Sequence, residues 1–168
     1  MKSAHPDLIT LHQEFISKGY NNFFIAVDGI RGPRSDDVMV LDYQNELWSV
    51  YYTERGNKSA PEFSSPVKSE AINYYRQLVS KIDHLHLAVV TRDERIISKY
   101  RDKLLEMNFR LYSNDIKNMY HAGDKVYRLY IINDDIYRIK DVSSKLPYYD
   151  DKFEDWKKFS FLEKYKKQ

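Results

Sequence analysis

Two histidines are the first residues whose type and spacing could do chemistry. His84 and His86 alternate along the apolar run HLHLAVVT, so in a strand both point to the same face. Two imidazoles on one face could bind a metal ion or, with a lysine nearby, act as the acid and base of a ribonuclease-like site. Metal sites need three or four ligands, and no third residue of suitable type is evident nearby. The pattern favours a structural role for both histidines and leaves a metal- or histidine-dependent enzyme as an alternative.

Three pairs of adjacent aspartates could hold a hard cation, which prefers clustered carboxylates. They are Asp36-Asp37, Asp134-Asp135 and Asp150-Asp151. Aspartate is also common in turns, where it bonds to the local backbone, and the spacing matches no calcium-binding loop. The loop GIRGPRSDD lacks the spacing of a phosphate-binding loop, and the chain has no serine-hydrolase elbow. These patterns favour turns and predict no cofactor, no metal and no catalytic residue.

The segment YYTERG places aromatic and charged residues where a predicted strand ends. Tyr51, Tyr52, Glu54 and Arg55 lead from that strand into a loop. One interpretation is an ordinary strand end whose exposed Glu–Arg pair contributes less than about 1 kcal/mol. The other is a protein-binding surface, because tyrosine and arginine are enriched at interaction hot spots. Both interpretations remain open at this point.

Composition indicates one globular domain without disulfides. The 168 residues are 42% hydrophobic and 31% charged, which is ordinary for a folded protein of one domain, here residues 1–168. The absence of cysteine excludes disulfides and thiolate metal sites. Aromatic content is high, with 15 Tyr, 8 Phe and 2 Trp. Tyrosine suits both half-buried strands and interfaces, so its abundance fits either use.

Charge and hydropathy indicate which classes of partner and which cellular location to expect. The formal net charge is +2, with 9 basic and 11 acidic residues in 1–83 against 18 and 14 in 84–168. This asymmetry is milder than that of a typical nucleic-acid-binding protein. The N-terminal residues lack the apolar run of a signal peptide, and no stretch approaches a membrane span. We therefore expect a cytoplasmic protein without a membrane partner.

Hydrophobic periodicity predicts the elements that would position these residues, in the order α-βββ-α-β-α-βββ-α. Helices are expected over about 6–18, 69–83, 92–107 and 151–165, with a hairpin turn at Gln44-Asn45 and a long loop after Glu54. Thr91 and Glu94 match a capping box, and Asn133-Asp134-Asp135 suggests a second hairpin followed by the strand IYRIKDV. The pattern predicts an α+β fold with a mainly antiparallel sheet and helices 69–83 and 92–107 packed on one face.

The stretch 23–82 resembles small immunity proteins of bacterial polymorphic-toxin systems, including contact-dependent inhibition. The resemblance rests on Trp48, Tyr51-Tyr52, Glu54-Arg55-Gly56 and a helix carrying Glu70, Ala71 and Tyr75. It implies a protein that binds and neutralises one cognate toxin domain, usually by covering the toxin's active site. Nucleases are the commonest targets by analogy. Many inhibitors of nuclease toxins are acidic, whereas this chain is slightly basic, so simple mimicry of nucleic acid is not implied.

The expected function is therefore that of an immunity protein, not an enzyme, with a cognate protein toxin as its partner. One candidate surface combines Tyr51, Tyr52, Glu54 and Arg55 with Asp36-Asp37. A second combines Tyr148, Tyr149, Asp150 and Asp151 with Asp134 and Asp135, and sequence does not choose between them. The alternative function is nucleic-acid binding or nucleotide processing by the basic second half. Its C-terminal lysines are Lys157, Lys158, Lys164, Lys166 and Lys167.

Overall fold

The computed structural model describes residues 4–117, 125–142 and 145–150, with only the backbone for 115–117. It confirms the predicted α+β class: helices accompany two mixed sheets in which most neighbouring strands are antiparallel. The chain divides between His84 and Leu85 into two compact units, 1–84 and 85–168. The expectation of one domain stays a prediction. Within the described residues, no helix has both the length and the apolar character that a membrane span requires.

The first unit contains a five-stranded sheet and two helices. Strands β1 to β4 are neighbours in that order, and β5 also pairs with β3. The β1–β2 pair is parallel, and every other pair in this sheet is antiparallel. The elements are α1 (Pro6–Ser17), β1 (Phe24–Ala26), β2 (Val38–Gln44), β3 (Leu47–Glu54), β4 (Asn57–Lys58), β5 (Phe63–Ser65) and α2 (Lys68–Ser80).

An apolar row across this sheet explains why both helices pack on the same face. The register aligns Ile25, Leu41, Val50 and Phe63 on four neighbouring strands. These side chains join the buried stripes of α1 and α2 in one core. Tyr75 of α2 is fully buried there, and its hydroxyl donates to the Met39 carbonyl at 2.6 Å and accepts from the Phe24 amide at 3.0 Å. The helix thereby fixes the parallel pair β1–β2 through a single side chain.

Two tight turns shape the hairpins of this sheet, and both differ from the sequence prediction. The β2–β3 turn consists of Asn45 and Glu46, with φ of 53° and 61°, one residue later than predicted. Positive φ at both central positions is the twist that two-residue hairpins favour. Arg55 and Gly56, with φ of 50° and 78°, form the same kind of turn between β3 and β4. The segment predicted as a long loop therefore contains β4 and β5.

The second unit is a four-stranded sheet in the order β7-β8-β6-β9, with one helix. The β6–β9 pair is parallel, and the other two pairs are antiparallel. Helix α3 contacts the three longer strands and buries Ile97, Tyr100 and Leu104. The elements are β6 (Leu85–Thr91), α3 (Glu94–Glu106), β7 (Leu111–Lys117), β8 (Lys125–Ile132), a 3-10 helix (Asn133–Asp141) and β9 (Tyr148–Tyr149). The prediction that helices α2 and α3 pack on one face of the same sheet is therefore wrong, because each helix packs on a different sheet.

The predicted hairpin at 133–135 and the strand IYRIKDV are wrong, because a 3-10 helix occupies Asn133–Asp141. Ile136 and Ile139 are its buried residues. Their spacing of three matches the three residues per turn of a 3-10 helix and not the two-residue period of a strand.

The predicted cap of the third helix is also wrong. Asp93, not Thr91, is the N-cap, and its carboxylate accepts from the Arg95 amide at 2.8 Å. Thr91 ends β6 and accepts a hydrogen bond from the Asp93 amide at 3.0 Å. The predicted C-terminal helix 151–165 lies outside the described residues.

Candidate functional site

The hairpin β2–β3 brings together most of the first predicted surface. Because Val38 pairs with Thr53, the residues just before β2 lie beside those just after β3. The Gly56 amide donates to the Asp36 carboxylate at 3.4 Å, which joins the two segments directly. We call this the turn surface. Its predicted members are Asp36, Asp37, Tyr52, Glu54 and Arg55.

Charges of both signs surround the turn surface. Arg34 donates through Nε to the Asp36 carbonyl at 2.9 Å, and its guanidinium lies 4.0 Å from the Asp37 carboxylate. Both side chains of that ion pair are about half exposed, so the pair contributes little to stability. Both contacts of Arg34 lie within the loop before β2, and the hydrogen bond from Gly56 to Asp36 is what joins this loop to the turn after β3.

Tyr52 is the exposed aromatic residue of the turn surface, with 36% of its surface accessible. Partial desolvation, followed by the carboxylates of Asp37 and Glu54, raises the pKa of its hydroxyl. A tyrosine hydroxyl, whose ordinary pKa is about 10, is protonated at neutral pH and can donate a hydrogen bond. Beside it lies an open pocket of about 400 Å³. The pocket is lined by Tyr52, Glu54, Arg55, Asn57, Lys58 and Ser59.

Tyr51 has a different environment from its neighbour Tyr52. It is buried, and its hydroxyl donates to the Asp42 carboxylate at 2.8 Å. Burial, with the hydrogen bond to Asp42, strongly raises the pKa of the Tyr51 hydroxyl. The ring packs with Val38 and Val40, so most of Tyr51 is unavailable to a partner.

Asp42 and Lys58 are residues that the sequence analysis did not single out. Asp42 is only 5% exposed although it carries a carboxylate. The Lys58 ammonium lies 3.8 Å from that carboxylate and 5.0 Å from the centre of the Tyr51 ring. The acid in the otherwise apolar run VMVLDY was the available signal for Asp42. The signal for Lys58 is absent, because a lysine beside a glycine-containing turn is normally a solvated side chain.

The second predicted surface does not come together. Tyr149 and Asp150 lie beside Val90, near the end of β6, whereas Ile132, just before Asp134 and Asp135, pairs with Leu85 at its start. Five residues of strand separate these positions, or about 17 Å. Asp151 lies outside the described residues.

The described residues of the second surface have structural contacts. Tyr149 is buried, and its hydroxyl donates to the Leu87 carbonyl at 3.0 Å. Tyr148 is half-buried, and its ring lies 5.5 Å from that of Tyr100 on α3. Asp150 accepts from the Arg92 amide at 3.1 Å. These contacts attach β9 to the edge of the sheet.

Asp134 and Asp135 begin the 3-10 helix and pair with Arg110. Asp135 accepts from the Arg110 amide at 2.7 Å and from its guanidinium at 3.1 Å, while Asp134 accepts from the same guanidinium. Partial burial opposes ionisation of Asp135, but the hydrogen bonds from Arg110 hold the pKa of its carboxyl below the ordinary value. These two carboxylates therefore join the start of the 3-10 helix to Arg110, the residue just before β7.

His84 is a buried structural residue in the first unit. Its Nδ1 accepts from the amides of Asn21 and Asn22 at 3.1 and 3.0 Å, and its Nε2 donates to the Val79 carbonyl at 2.9 Å. Its ring stacks on Tyr20 at 4.2 Å. Burial lowers the pKa of the imidazole, which is therefore neutral. Both ring nitrogens are engaged by the backbone, so neither is available to a metal or substrate.

The other chemical alternatives gain no support from the described residues. His86 is also buried, at 3% exposure. Among the described residues, no group of three or more histidines or carboxylates could hold a metal ion. The C-terminal lysines of the nucleic-acid alternative lie outside the described ranges, so that alternative stays a prediction.

No family model, no curated protein and no solved structure matches this chain. The resemblance to immunity proteins therefore rests on the residues of 23–82 alone.

Proposed function

We propose that this protein is an immunity protein that binds a cognate toxin domain and neutralises it by covering the toxin's active site. The observation that supports the proposal is an open pocket lined by Tyr52, Glu54 and Arg55, beside which Asp36 accepts a hydrogen bond from the Gly56 amide. These residues come from two separate parts of the stretch 23–82, which resembles immunity proteins.

The side chains of the turn surface suit recognition of a protein. Tyr52 offers a large contact area with few rotatable bonds, so its ordering on binding costs little. Arg55 occupies an exposed turn and can make paired hydrogen bonds with a carboxylate. Three carboxylates, of Asp36, Asp37 and Glu54, alternate here with cationic side chains. Mixed charges of this kind fix the orientation of a partner more than they add affinity.

The proposal is tested first by the gene that neighbours this one. If that gene ends in a small toxic domain, the two proteins should co-purify as a one-to-one complex, and this protein should rescue growth of cells that express the toxin. Absence of a complex with that toxin domain, together with absence of rescue, would refute the function.

Substitutions then locate the surface. Tyr52→Ala should weaken the complex by about tenfold or more, as for a hot-spot aromatic. The matched control is Tyr112→Ala, because Tyr112 is a 48% exposed tyrosine on the sheet of the second unit. Its affinity should stay near that of the wild type. An equal loss in both variants would show that the turn surface is not the binding site.

A further inference from the structure

A second pocket of about 290 Å³ lies on the face of the first sheet opposite the helices. We call it the Asp42 pocket. Ligand pockets start at about 300 Å³, so its size suits a side chain or small ion better than a nucleotide. Its lining includes Asp42, Gln44, Leu47, Tyr51 and Lys58. One charge of each sign is present among these residues, and the two differ greatly in exposure.

The carboxylate of Asp42 is the buried member of that pair. It accepts from the Tyr43 amide at 2.8 Å, from the Tyr51 hydroxyl at 2.8 Å and from the Gln44 amide group at 3.1 Å. A carboxylate has about four acceptor positions, so roughly one remains. These three neutral donors leave the negative charge itself uncompensated. A buried charge of this kind requires a cation.

Lys58 is that cation, but its ion pair with Asp42 is long and exposed to solvent. Its ammonium is 3.8 Å from Asp42 Oδ2, whereas a charge-assisted hydrogen bond is about 2.8 Å long. The side chain of Lys58 is 55% exposed, against 7% for that of Asp42. Because a lysine ammonium sits on a flexible four-carbon stem, it can leave this position at small cost. The carboxylate and the Tyr51 face would then be open to another cation.

We infer that the Asp42 pocket is a binding site for a guanidinium or alkylammonium group, for which Lys58 is the resident substitute. The inference follows from what already occupies the pocket: a cation held between a buried carboxylate and an aromatic ring. A guanidinium suits this place better than an ammonium, because it is planar, stacks on aromatic faces and is more weakly hydrated. Under the proposed function, which this step takes as given, the group belongs to an arginine of the bound toxin.

The test is a titration of the full chain with propylguanidinium, followed by nuclear magnetic resonance, with butyrate as the anionic counterpart. Lys58→Met keeps the apolar stem and removes the competing charge. It should tighten propylguanidinium binding by roughly twofold to fivefold, the factor that corresponds to an exposed ion pair. Asp42→Asn keeps the size of the side chain and should weaken binding by about tenfold or more. Asp102→Asn, at an exposed position of α3 in the second unit, is the control and should leave the affinity unchanged.

The direction in which Lys58→Met changes the affinity for propylguanidinium tests the inference. Weaker propylguanidinium binding in Lys58→Met would overturn the inference, as would an absence of binding to both that variant and the wild type. Butyrate binding that is lost in Lys58→Met would overturn it too, because the pocket would then be an anion site on Lys58. If Asp42→Asn fails to fold, the comparison of wild type with Lys58→Met still gives this sign.

The site and the proposed function can fail separately. Propylguanidinium binding without any toxin complex would refute the immunity function and leave the cation site in place. A toxin complex that is sensitive to Tyr52→Ala, in a protein that does not bind propylguanidinium, would do the reverse. If both are right, Lys58→Met should tighten the toxin complex and Asp42→Asn should weaken it.

Discussion

The hydrogen bonds of His84 predict a pH dependence of stability well above the range where carboxylates titrate. Two backbone amides, of Asn21 and Asn22, donate to Nδ1. Protonation of that nitrogen would replace an acceptor with a donor that faces two N–H groups. The ring is also fully buried, at 0% exposure, so the charged form would lack solvation. The folded state therefore disfavours the imidazolium, which the unfolded chain forms readily.

The difference between the folded and unfolded pKa of His84 sets how the free energy of unfolding changes with pH. Burial lowers the pKa of His84 in the folded state, whereas the unfolded pKa is about 6.5. Between the two values the unfolded chain binds more protons, so the free energy of unfolding falls as the pH falls. The contribution of His84 is complete above the unfolded pKa and is lost below it. From pH 7.5 to 5.5 the loss reaches at most about 1.4 kcal/mol, if the folded pKa lies below this interval.

Urea unfolding at pH 7.5, 6.5 and 5.5 measures this loss. His84→Gln is the informative variant, because its amide can accept and donate in place of the two ring nitrogens without titrating. It should be less stable than the wild type at pH 7.5 and should lose less stability between pH 7.5 and 5.5. Burial lowers the pKa of His12 as well, so some dependence should persist in the variant. An equal loss in both proteins would refute the reasoning.

Two further predictions concern packing in the first unit, and both are checked by urea unfolding. Tyr75→Phe leaves two backbone groups unsatisfied and should cost about 2–4 kcal/mol, whereas Tyr74→Phe, whose ring stacks on Phe63, should change stability by less than about 0.5 kcal/mol. Similar losses would argue against the bridging hydroxyl. Gly32→Ala should cost about 2 kcal/mol or more, because its new Cβ would lie 2.2 Å from a backbone carbonyl oxygen. Gly29→Ala, which is strained only by a φ of +67°, should cost about 1 kcal/mol; the opposite order would contradict the close contact.

The fold class could be predicted because its elements have clear periods. The buried residues of α1 and α3 follow the helical spacing visible in the sequence, and β2 and β3 form the expected hairpin. The division into two sheets could not be predicted, because strand partners are set by contacts distant in sequence. The parallel pair β6–β9 illustrates this, since it joins Val89 to Tyr148 across 58 intervening residues.

One of the other wrong predictions has its cause in a contact distant in sequence, and another in a neighbouring residue. Asp134 and Asp135 are common in hairpin turns, but here they bond to Arg110, which is 24 and 25 residues away in sequence. The hydrogen bonds with Arg110 stabilise these aspartates in the first turn of a 3-10 helix, where a hairpin was predicted. Thr91 was expected to cap α3 because its spacing to Glu94 is correct. The helix begins later, and Asp93 takes the cap because it is the residue next to the first helical position.

The site shows the same limit more sharply, because adjacent tyrosines have unlike roles. Alternation along β3 puts Tyr51 and Tyr52 on opposite faces, and sequence alone leaves open which face is covered. In the structure Tyr51 joins the Asp42 pocket, whereas Tyr52 joins the turn surface. Lys58 and Ser59 line both concavities, so the two sites are continuous through β4 and the residue after it. A partner that covers Tyr52 therefore lies next to Lys58, and displacement of that lysine toward solvent would expose the Asp42 carboxylate to the same partner.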